Sequence, residues 1–532
     1  MAVLITLANR ATIDEPLPKA VIEDLQNEFT HTNPEFEKLK ALGFRKRVPR
    51  YIATWQADNR GISFPRGGVE KVRSILETHG FASVIEDERS NGDQSLGKIP
   101  KHRITLYPFQ EQMVTAAIEN ETCLLRAPQG SGKTTAALSL AARLQLPTLV
   151  IVSTTNLLDQ WMRRCVNELG LFEQDVGVIQ GGRVRLRPIT IGMQQSLRKH
   201  ATKIASKFGT VIADEVQLFA ASTFQDVIDV LDSRYRIGVS GDERRADRKE
   251  FLIYDQFGEV AHRVEHQAMV DAGYVHEVEI RVVPTAFEAD WFANIREPKK
   301  RVKKLDALYD QMAQDSDRNA LAIECVRQSV QDEGEQAIIL SLRREHCHVL
   351  DSIATRSGLR SGLFIGGDDY REQFEQTLRG MNARETEVAV GTYQAIGVGF
   401  DAPRVARGVC SMPVANNSKG EFQFRQYRGR FARVCEGKRD AILYYLLDVN
   451  VFGLTPLRNL CKWNARVSVW DASNEAWINA RSFLDGKKKK RRESNTHDPK
   501  QAKPGRRKRS QVKRAEQQEL FGSYDPFNGG NG

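Results

Sequence analysis

Cysteine is scarce and shows no pairing pattern. The seven cysteines, at positions 123, 165, 325, 347, 410, 435 and 461, are odd in number and form no C-x-x-C pair. That excludes a disulfide-stapled secreted scaffold and a ribbon-type zinc site, and points to reduced thiols in a cytosol-like compartment. His346-Cys347-His348 has no second ligand pair elsewhere and reads as alternation at a strand end, not as a metal centre. Apolar runs are short as well: none approaches the roughly 18 residues that a membrane span requires. The opening MAVLITLANRATIDE lacks both a basic n-region and a long apolar h-region, so no secretory leader is expected. A soluble protein is expected.

Excess charge is absent from most of the chain. The net charge is +10 over 532 residues, yet residues 487–514 alone hold 14 Lys/Arg against two acids, Glu493 and Asp498. The basicity is an appendage, and its KKKKRR and RRKR runs suit a phosphodiester backbone through counterion release, without sequence readout. Residues 485–532 as a whole hold too little apolar material to fold alone and are expected to be a disordered basic tail.

What is present is alternation. Residues 1–100 combine a hairpin pattern around Arg60-Gly61 with a helical pattern at 68–80, which predicts a small α+β domain. Its GFRKRVPR stretch carries Arg45, Lys46, Arg47 and Arg50, which read either as a solvated surface or as a contact to a duplex or fork. The polar segment 86–98 reads as a linker. From 101 to 278 short apolar strands alternate with amphipathic helices: CLLRA (123–127), TLVIVS (148–153), VGVIQ (176–180), TVIAD (210–214) and RIGVS (236–240). That pattern predicts an open parallel sheet covered on both faces. After a charged connector at 279–334 it recurs over 335–484, in AIILS (337–341), LFIGG (363–367), VAVGT (388–392), RGVCSM (407–412) and AILYYLLD (441–448).

The chemistry concentrates in three places. APQGSGKTT (127–135) follows a strand and opens a helix, the context in which Gly130 and Gly132 let backbone N–H groups curl around phosphates. Lys133 there supplies positive charge to the β/γ-phosphates, and the Thr134 hydroxyl reaches Mg²⁺. VIADEVQ (211–217) puts Asp214 and Glu215 at a strand C-terminus, the ligand side of a parallel sheet; Asp214 suits the metal and Glu215 the polarisation of an attacking water. QYRGRFAR (426–433) puts Arg428, Arg430 and Arg433 on a helical segment, which fits either transition-state stabilisation of a γ-phosphate or a solvated, nucleic-acid-facing surface.

In this order the segments resemble the superfamily 2 helicases and translocases over about 100–450. LYPFQEQMV (106–114) resembles the adenine-reading segment with Gln110, APQGSGKTT motif I with Thr135 at its end, and STTNLLDQW (153–161) motif Ia. VIADEVQ resembles the DEAD/DEAH box, GTYQAIGVGFDAP (391–403) motif V, and QYRGRFAR motif VI. The branch most similar is the one containing XPB, the phage UvsW helicase and restriction-enzyme ATPase subunits.

The resemblance implies two tandem RecA-like α/β domains with ATP and Mg²⁺ bound in the cleft between them. It implies Gln426 near the γ-phosphate, Arg430 and Arg433 as arginine fingers, and Gly399 and Asp401 linking nucleotide to strand. It further implies ATP-dependent movement on or remodelling of DNA in repair, recombination or fork processing, in the cytoplasm of a bacterial or phage-infected cell. The sequence departs from the branch in SGDERRAD (240–247), where motif III keeps Ser240, Arg245 and Asp247 but carries Asp242 and Glu243. It departs again at Gln217, where the box usually has histidine, and at Tyr107, where arginine is common. An RNA helicase, an ATP-gated nucleic-acid-binding protein with little unwinding, and a P-loop small-molecule kinase remain as alternatives.

Overall fold

A computed structural model of the chain describes residues 2–41, 48–58, 61–101, 104–219, 221–241, 245, 247–397, 402–415, 418–464, 466–472 and 474–485. Arg45, Lys46, Arg47, Asp242, Glu243, Gly399, Asp401 and the basic tail at 487–514 lie outside the described residues. The chain divides into two compact units, Met1–Met269 and Val270–Gly532.

The first unit begins with a five-stranded sheet in the order Gln56–Ala57, Ile62–Pro65, Arg10–Ile13, Ala2–Leu7, Ala82–Asp87. In AVLITL the residues Val3, Ile5 and Leu7 are buried, as period-2 alternation on a one-sided sheet requires. They pack with Val21 and Leu25 from one helix and Val72 and Leu76 from another. Each fully buried aliphatic side chain of this kind contributes about 1.5–3 kcal/mol.

Its larger sheet has eight strands in the order Arg183–Arg185, Gly177–Gln180, Ile189–Met193, Thr148–Val152, Thr210–Asp214, Tyr235–Ser240, Thr122–Arg126, Val260–Arg263. Apart from the antiparallel edge hairpin 177–185, its neighbours run parallel. Strand Tyr235–Ser240 lies between the strand that enters the phosphate loop and the strand that ends in Asp214. Leu124, Leu149, Ile151, Val211 and Ala213 form its core with Phe208, Phe219 and Phe257.

The polar segment expected to be a linker is bolted to this sheet. Ser90 N–H donates to Asp232 O at 2.9 Å, Arg234 N–H to Ser90 O at 2.8 Å, and Asp93 N–H to Lys207 O at 3.1 Å, while Lys207 pairs with Asp93 at 2.7 Å. Around it the two sheets share buried polar contacts. Arg66, 1% exposed, donates to Ala8 O and Ser233 O. Arg236, wholly buried, donates to Asn9 O at 2.9 Å and to Leu231 O at 2.7 Å. Arg10 pairs with Asp229 at 3.1 Å, and Asp255 accepts from Thr54 Oγ1 at 2.7 Å and faces His31 Nε2 at 2.8 Å. Burial, and then the neighbouring cation Arg236, push the Arg66 guanidinium well below its usual pKa.

The second unit holds another eight-stranded sheet, ordered Ser361–Phe364, Val388–Thr392, Gln336–Ser341, Val405–Cys410, Ala441–Leu447, Val278–Pro284, Val467–Asp471, Ala476–Asn479. Only the last pair is antiparallel. The architecture is therefore two tandem RecA-like parallel-sheet domains, as expected.

The expected connector, 279–334, is corrected: it belongs to this unit. Val278–Pro284 pairs with Ala441–Leu447 along its whole length, and Ala322, Ile323, Val326 and Val330 of the helix Ser316–Glu333 enter the core. Glu279 and Arg281 made the strand read as polar, yet Glu279 is satisfied by Ser468 at 3.0 Å and Arg281 at 3.3 Å. The His346-Cys347-His348 run is corrected as well. It lies on the helix Arg344–Arg356, with His346 buried between Ser341 Oγ (2.9 Å) and Asn319 Oδ1 (2.7 Å).

Candidate nucleotide-binding site

The phosphate loop leaves strand Thr122–Arg126 and enters the helix Lys133–Leu144. Gly130 and Gly132 have φ of 83° and 74°, left-handed values that side-chain-bearing residues adopt at a cost. At Gly132 a Cβ would also stand 2.4 Å from Gln110 Nε2. Gly132 is the helix N-cap and no side chain caps it, which leaves the first-turn N–H groups of a helix available to an anion.

Gln110 braces this turn. Its Nε2 donates to Ser131 O at 2.8 Å, and its Oε1 accepts from Tyr107 N–H at 2.9 Å. Gln110 is 3% exposed, while Tyr107, half exposed, stacks on Phe109 with centroids 5.9 Å apart.

Lys133 is buried at the head of the helix. Its Nζ donates to Ala127 O at 3.2 Å and lies 3.6 Å from Glu215 Oε1. Glu215 takes a left-handed backbone conformation, φ 52°, a strained state that persists where surrounding structure holds it. Asp214, one residue earlier, accepts from the indole Nε1 of Trp161 at 2.8 Å. Burial, and then the adjacent Glu215 charge, drive the Asp214 carboxyl above its ordinary range. Thr135 Oγ1 accepts from Arg164 at 3.1 Å.

Gln217 joins this group to the neighbouring strand. Its Nε2 donates to Glu215 Oε2, and its Oε1 accepts from Ser240 Oγ. The departure from histidine at 217 therefore keeps a bridge between the box and the start of motif III. Arg245 pairs with Asp247 at 2.8 Å and donates to Phe219 O.

The residues fit a hard divalent cation and a polyphosphate. The buried Asp214 and the half-buried Glu215 beside the Lys133 ammonium supply carboxylate oxygens of the kind a hard divalent cation prefers. Gln129 Oε1 and Ser131 Oγ are buried in the loop without a hydrogen-bond partner among the described residues.

In the second unit the helix Ser418–Phe431 carries Gln426, Arg428 and Arg430, and Arg433 follows two residues past its end. Gln426 is buried and Arg430 half-buried. Arg428 turns to Asn464 Oδ1 at 2.9 Å, and burial lowers it to about 10. Tyr427 stacks on Tyr393, centroids 4.9 Å apart.

The first unit thus brings together Gln110, Gly130, Gly132, Lys133, Thr134, Thr135, Asp214 and Glu215, and the second holds Gln426, Arg430 and Arg433. Sequence reasoning missed Trp161, Arg164 and the Gln217–Ser240 contact. A tryptophan on the apolar stripe of the helix Thr155–Leu169 is a signal for Trp161, because a buried indole N–H needs an acceptor.

Residues 103–242 match the family model described as the type III restriction enzyme res subunit. A "Probable helicase" of Escherichia phage T5 is 26% identical over 414 residues, 76% of this chain and 82% of that protein. The chain is thus similar over most of its length to a phage helicase, and over residues 103–242 to the restriction-enzyme family. A DNA 3'-5' translocase, XPB2, of Sulfurisphaera tokodaii is 29% identical over 179 residues, 34% of this chain and 40% of that protein; the chain thus spans less than half of this relative. Among solved structures, a fragment described as an HsdR subunit of a type I restriction enzyme from Vibrio vulnificus superposes with a TM-score of 0.50 at 15% identity, covering 88% of this chain and 85% of that one. That likeness concerns the fold.

Proposed function

We propose that this chain is a superfamily 2 helicase that hydrolyses ATP to move on DNA, in repair, recombination or fork processing. The observation that carries the reading is one continuous group of side chains: Lys133 beside Glu215 at 3.6 Å, and Gln217 bonded to both Glu215 and Ser240. It links a phosphate-binding ammonium to a carboxylate, and that carboxylate to the next strand's end.

In this reading the N–H groups at the start of the helix Lys133–Leu144 hold phosphate, Lys133 offsets its charge and Gln110 selects adenine. Thr134 and Asp214 would hold Mg²⁺, which when bound neutralises charge on the β- and γ-phosphate oxygens. Trp161 keeps Asp214 oriented. Glu215 polarises the attacking water, Gln426 positions it near the γ-phosphate, and Arg430 and Arg433 offset the charge that develops in the transition state. Gly399 and Asp401 relay the nucleotide state to the strand.

The DNA assignment is supported by the Sulfurisphaera relative, a DNA 3'-5' translocase. The tail at 487–514 adds non-specific phosphate contacts. Among the described residues no helix is long and apolar enough to cross a membrane.

The test is ATP turnover with single-stranded DNA, duplex, forks and RNA, followed by strand separation on the best activator. Stimulation by DNA with ATP-dependent unwinding is expected. Turnover indifferent to every nucleic acid overturns the reading, and stimulation by RNA alone reassigns the substrate. The acidic motif III, SGDERRAD, favours a second reading, an ATP-gated binder, whose signature is nucleotide-dependent affinity without strand separation.

A further inference from the structure

Three main-chain carbonyls around the end of the arginine-bearing helix converge on one buried ammonium. Lys438, 8% exposed, donates from Nζ to Phe431 O at 2.6 Å, to Arg433 O at 3.0 Å and to Pro403 O at 3.3 Å. The turn that aims it back closes with Lys438 N–H on Cys435 O at 3.2 Å, and Gly437 in that turn has φ 83°. The last carbonyls of a helix lack intrahelical donors and carry partial negative charge, so a cation with three N–H groups satisfies them well.

The same short segment is held from its other side. His276 N–H donates to Ala432 O at 2.7 Å, and Val275 forms an antiparallel bridge with Arg433. Arg433 is therefore fixed by its own carbonyl and by a strand contact, and Arg430 lies in the final turn of the helix whose last residue Lys438 binds. Pro403 follows Asp401 by two residues, so the one ammonium ties the end of motif V to the exit of motif VI.

We propose that Lys438 is a positioning residue for hydrolysis, clamping the main chain that carries Arg430 and Arg433 to the segment that follows Asp401. This rests on the reading that Arg430 and Arg433 act on the γ-phosphate. A catalytic side chain displaced by about 1 Å can lose on the order of a hundredfold in rate. Main-chain slack at Arg433 is therefore expected to appear in turnover and not in ATP binding, which belongs to the Lys133 loop.

Burial drives the Lys438 ammonium down to about 8, inside an accessible pH range. Glu335 and Cys435 oppose that shift, Arg433 and Arg407 add to it, and His276 and Asp440 lie in the same electrostatic neighbourhood. Loss of the proton weakens the clamp, so turnover is expected to fall as pH rises through about 8.

The experiment compares wild type, Lys438→Met, Lys438→Arg and Cys435→Ser in DNA-stimulated ATP hydrolysis from about pH 6.5 to 9.5. The expected result is a kcat about tenfold or more lower in Lys438→Met with KM for ATP within about threefold, partial recovery in Lys438→Arg, and an alkaline limb near pH 8 that Cys435→Ser retains and Lys438→Met lacks. Wild-type kcat in Lys438→Met, or a loss confined to KM, overturns the clamp. If Lys438→Met does not fold, the limb decides: its presence in both wild type and Cys435→Ser supports the clamp, and its absence from either overturns it. A wild-type protein with no turnover on any nucleic acid sinks the hydrolytic reading itself, whereas a turning-over wild type with an indifferent Lys438→Met sinks only the clamp.

Discussion

The indole N–H of Trp161 donates to Asp214 Oδ2 across 2.8 Å, with both side chains buried. Asp214, at the end of its strand, is thereby held by a partner from the helix Thr155–Leu169, which carries the segment that resembles motif Ia. A hydrogen bond to a charged group is worth about 1.5–3 kcal/mol. Trp161→Phe should accordingly cut nucleic-acid-stimulated ATP turnover by roughly tenfold or more while the chain stays folded by circular dichroism. Undiminished turnover would remove Trp161 from the mechanism.

Gln217 offers a test of coupling. Gln217→Ala and Ser240→Ala each break the contact between the box and the neighbouring strand, so both should lower strand separation per ATP hydrolysed more than hydrolysis itself. Because Gln217→Ala already loses the bond to Ser240 as well as the one to Glu215, the double variant should be about as impaired as Gln217→Ala alone. Fully additive losses in unwinding assays would show two separate roles.

Lys133 and Arg430 should fail differently. Lys133→Ala removes the ammonium at the phosphate loop and should abolish turnover with weakened ATP binding. Arg430→Ala should spare ATP binding, measured with a fluorescent analogue, and lose turnover by about 10³-fold if it acts as an arginine finger. Equal loss of binding in the two variants would assign Arg430 a ground-state role instead.

Acid should weaken the second unit through His346. Burial, and then Arg318, lower its pKa to about 3, against an ordinary value near 6.5. The unfolded chain therefore binds the proton first: the stability is intact above about pH 6.5 and falls by up to about 1.4 kcal/mol per pH unit as pH drops toward 3. His346→Leu should flatten that slope in urea titrations between pH 7 and 5, and an unchanged slope would assign the acid sensitivity elsewhere.

Asp229 ties the amino-terminal sheet to the first RecA-like sheet. It pairs with Arg10 at 3.1 Å and accepts from Gln256 Nε2 at 2.8 Å. Asp229→Ala leaves a buried guanidinium without its carboxylate, at a cost of about 3 kcal/mol. The expected outcome is a lower Tm for the whole first unit in one transition; two separated transitions in calorimetry would show that the sheets fold independently.

The phosphate loop, the Asp214-Glu215 pair and the arginine helix were legible in the sequence because each is a contiguous run set between a strand and a helix, where local spacing fixes geometry. The segment 86–98 was not. Its polar composition reads as a tether, yet Ser90 and Asp93 bind main-chain atoms of residues 207, 232 and 234, and main-chain partners leave no mark in composition. Val278–Pro284 was hidden in the same way by Glu279 and Arg281, whose charges are answered by residues distant or two positions away. His346 misled through short-range alternation, since a buried helical histidine with two polar neighbours looks in one dimension like an edge-strand pattern.

The wholly buried guanidinium of Arg236, which reaches Asn9 O and Leu231 O, bears on how the molecule can be cut and recombined. A version beginning near residue 99 would bring into water a surface shaped to be dry, with an arginine deprived of one of its acceptors. Grafting the leading hundred residues onto another motor would meet the converse difficulty. The boundaries along which this protein can be exchanged with its relatives are set by where its cations are hidden, and they do not coincide with the gaps between its motifs.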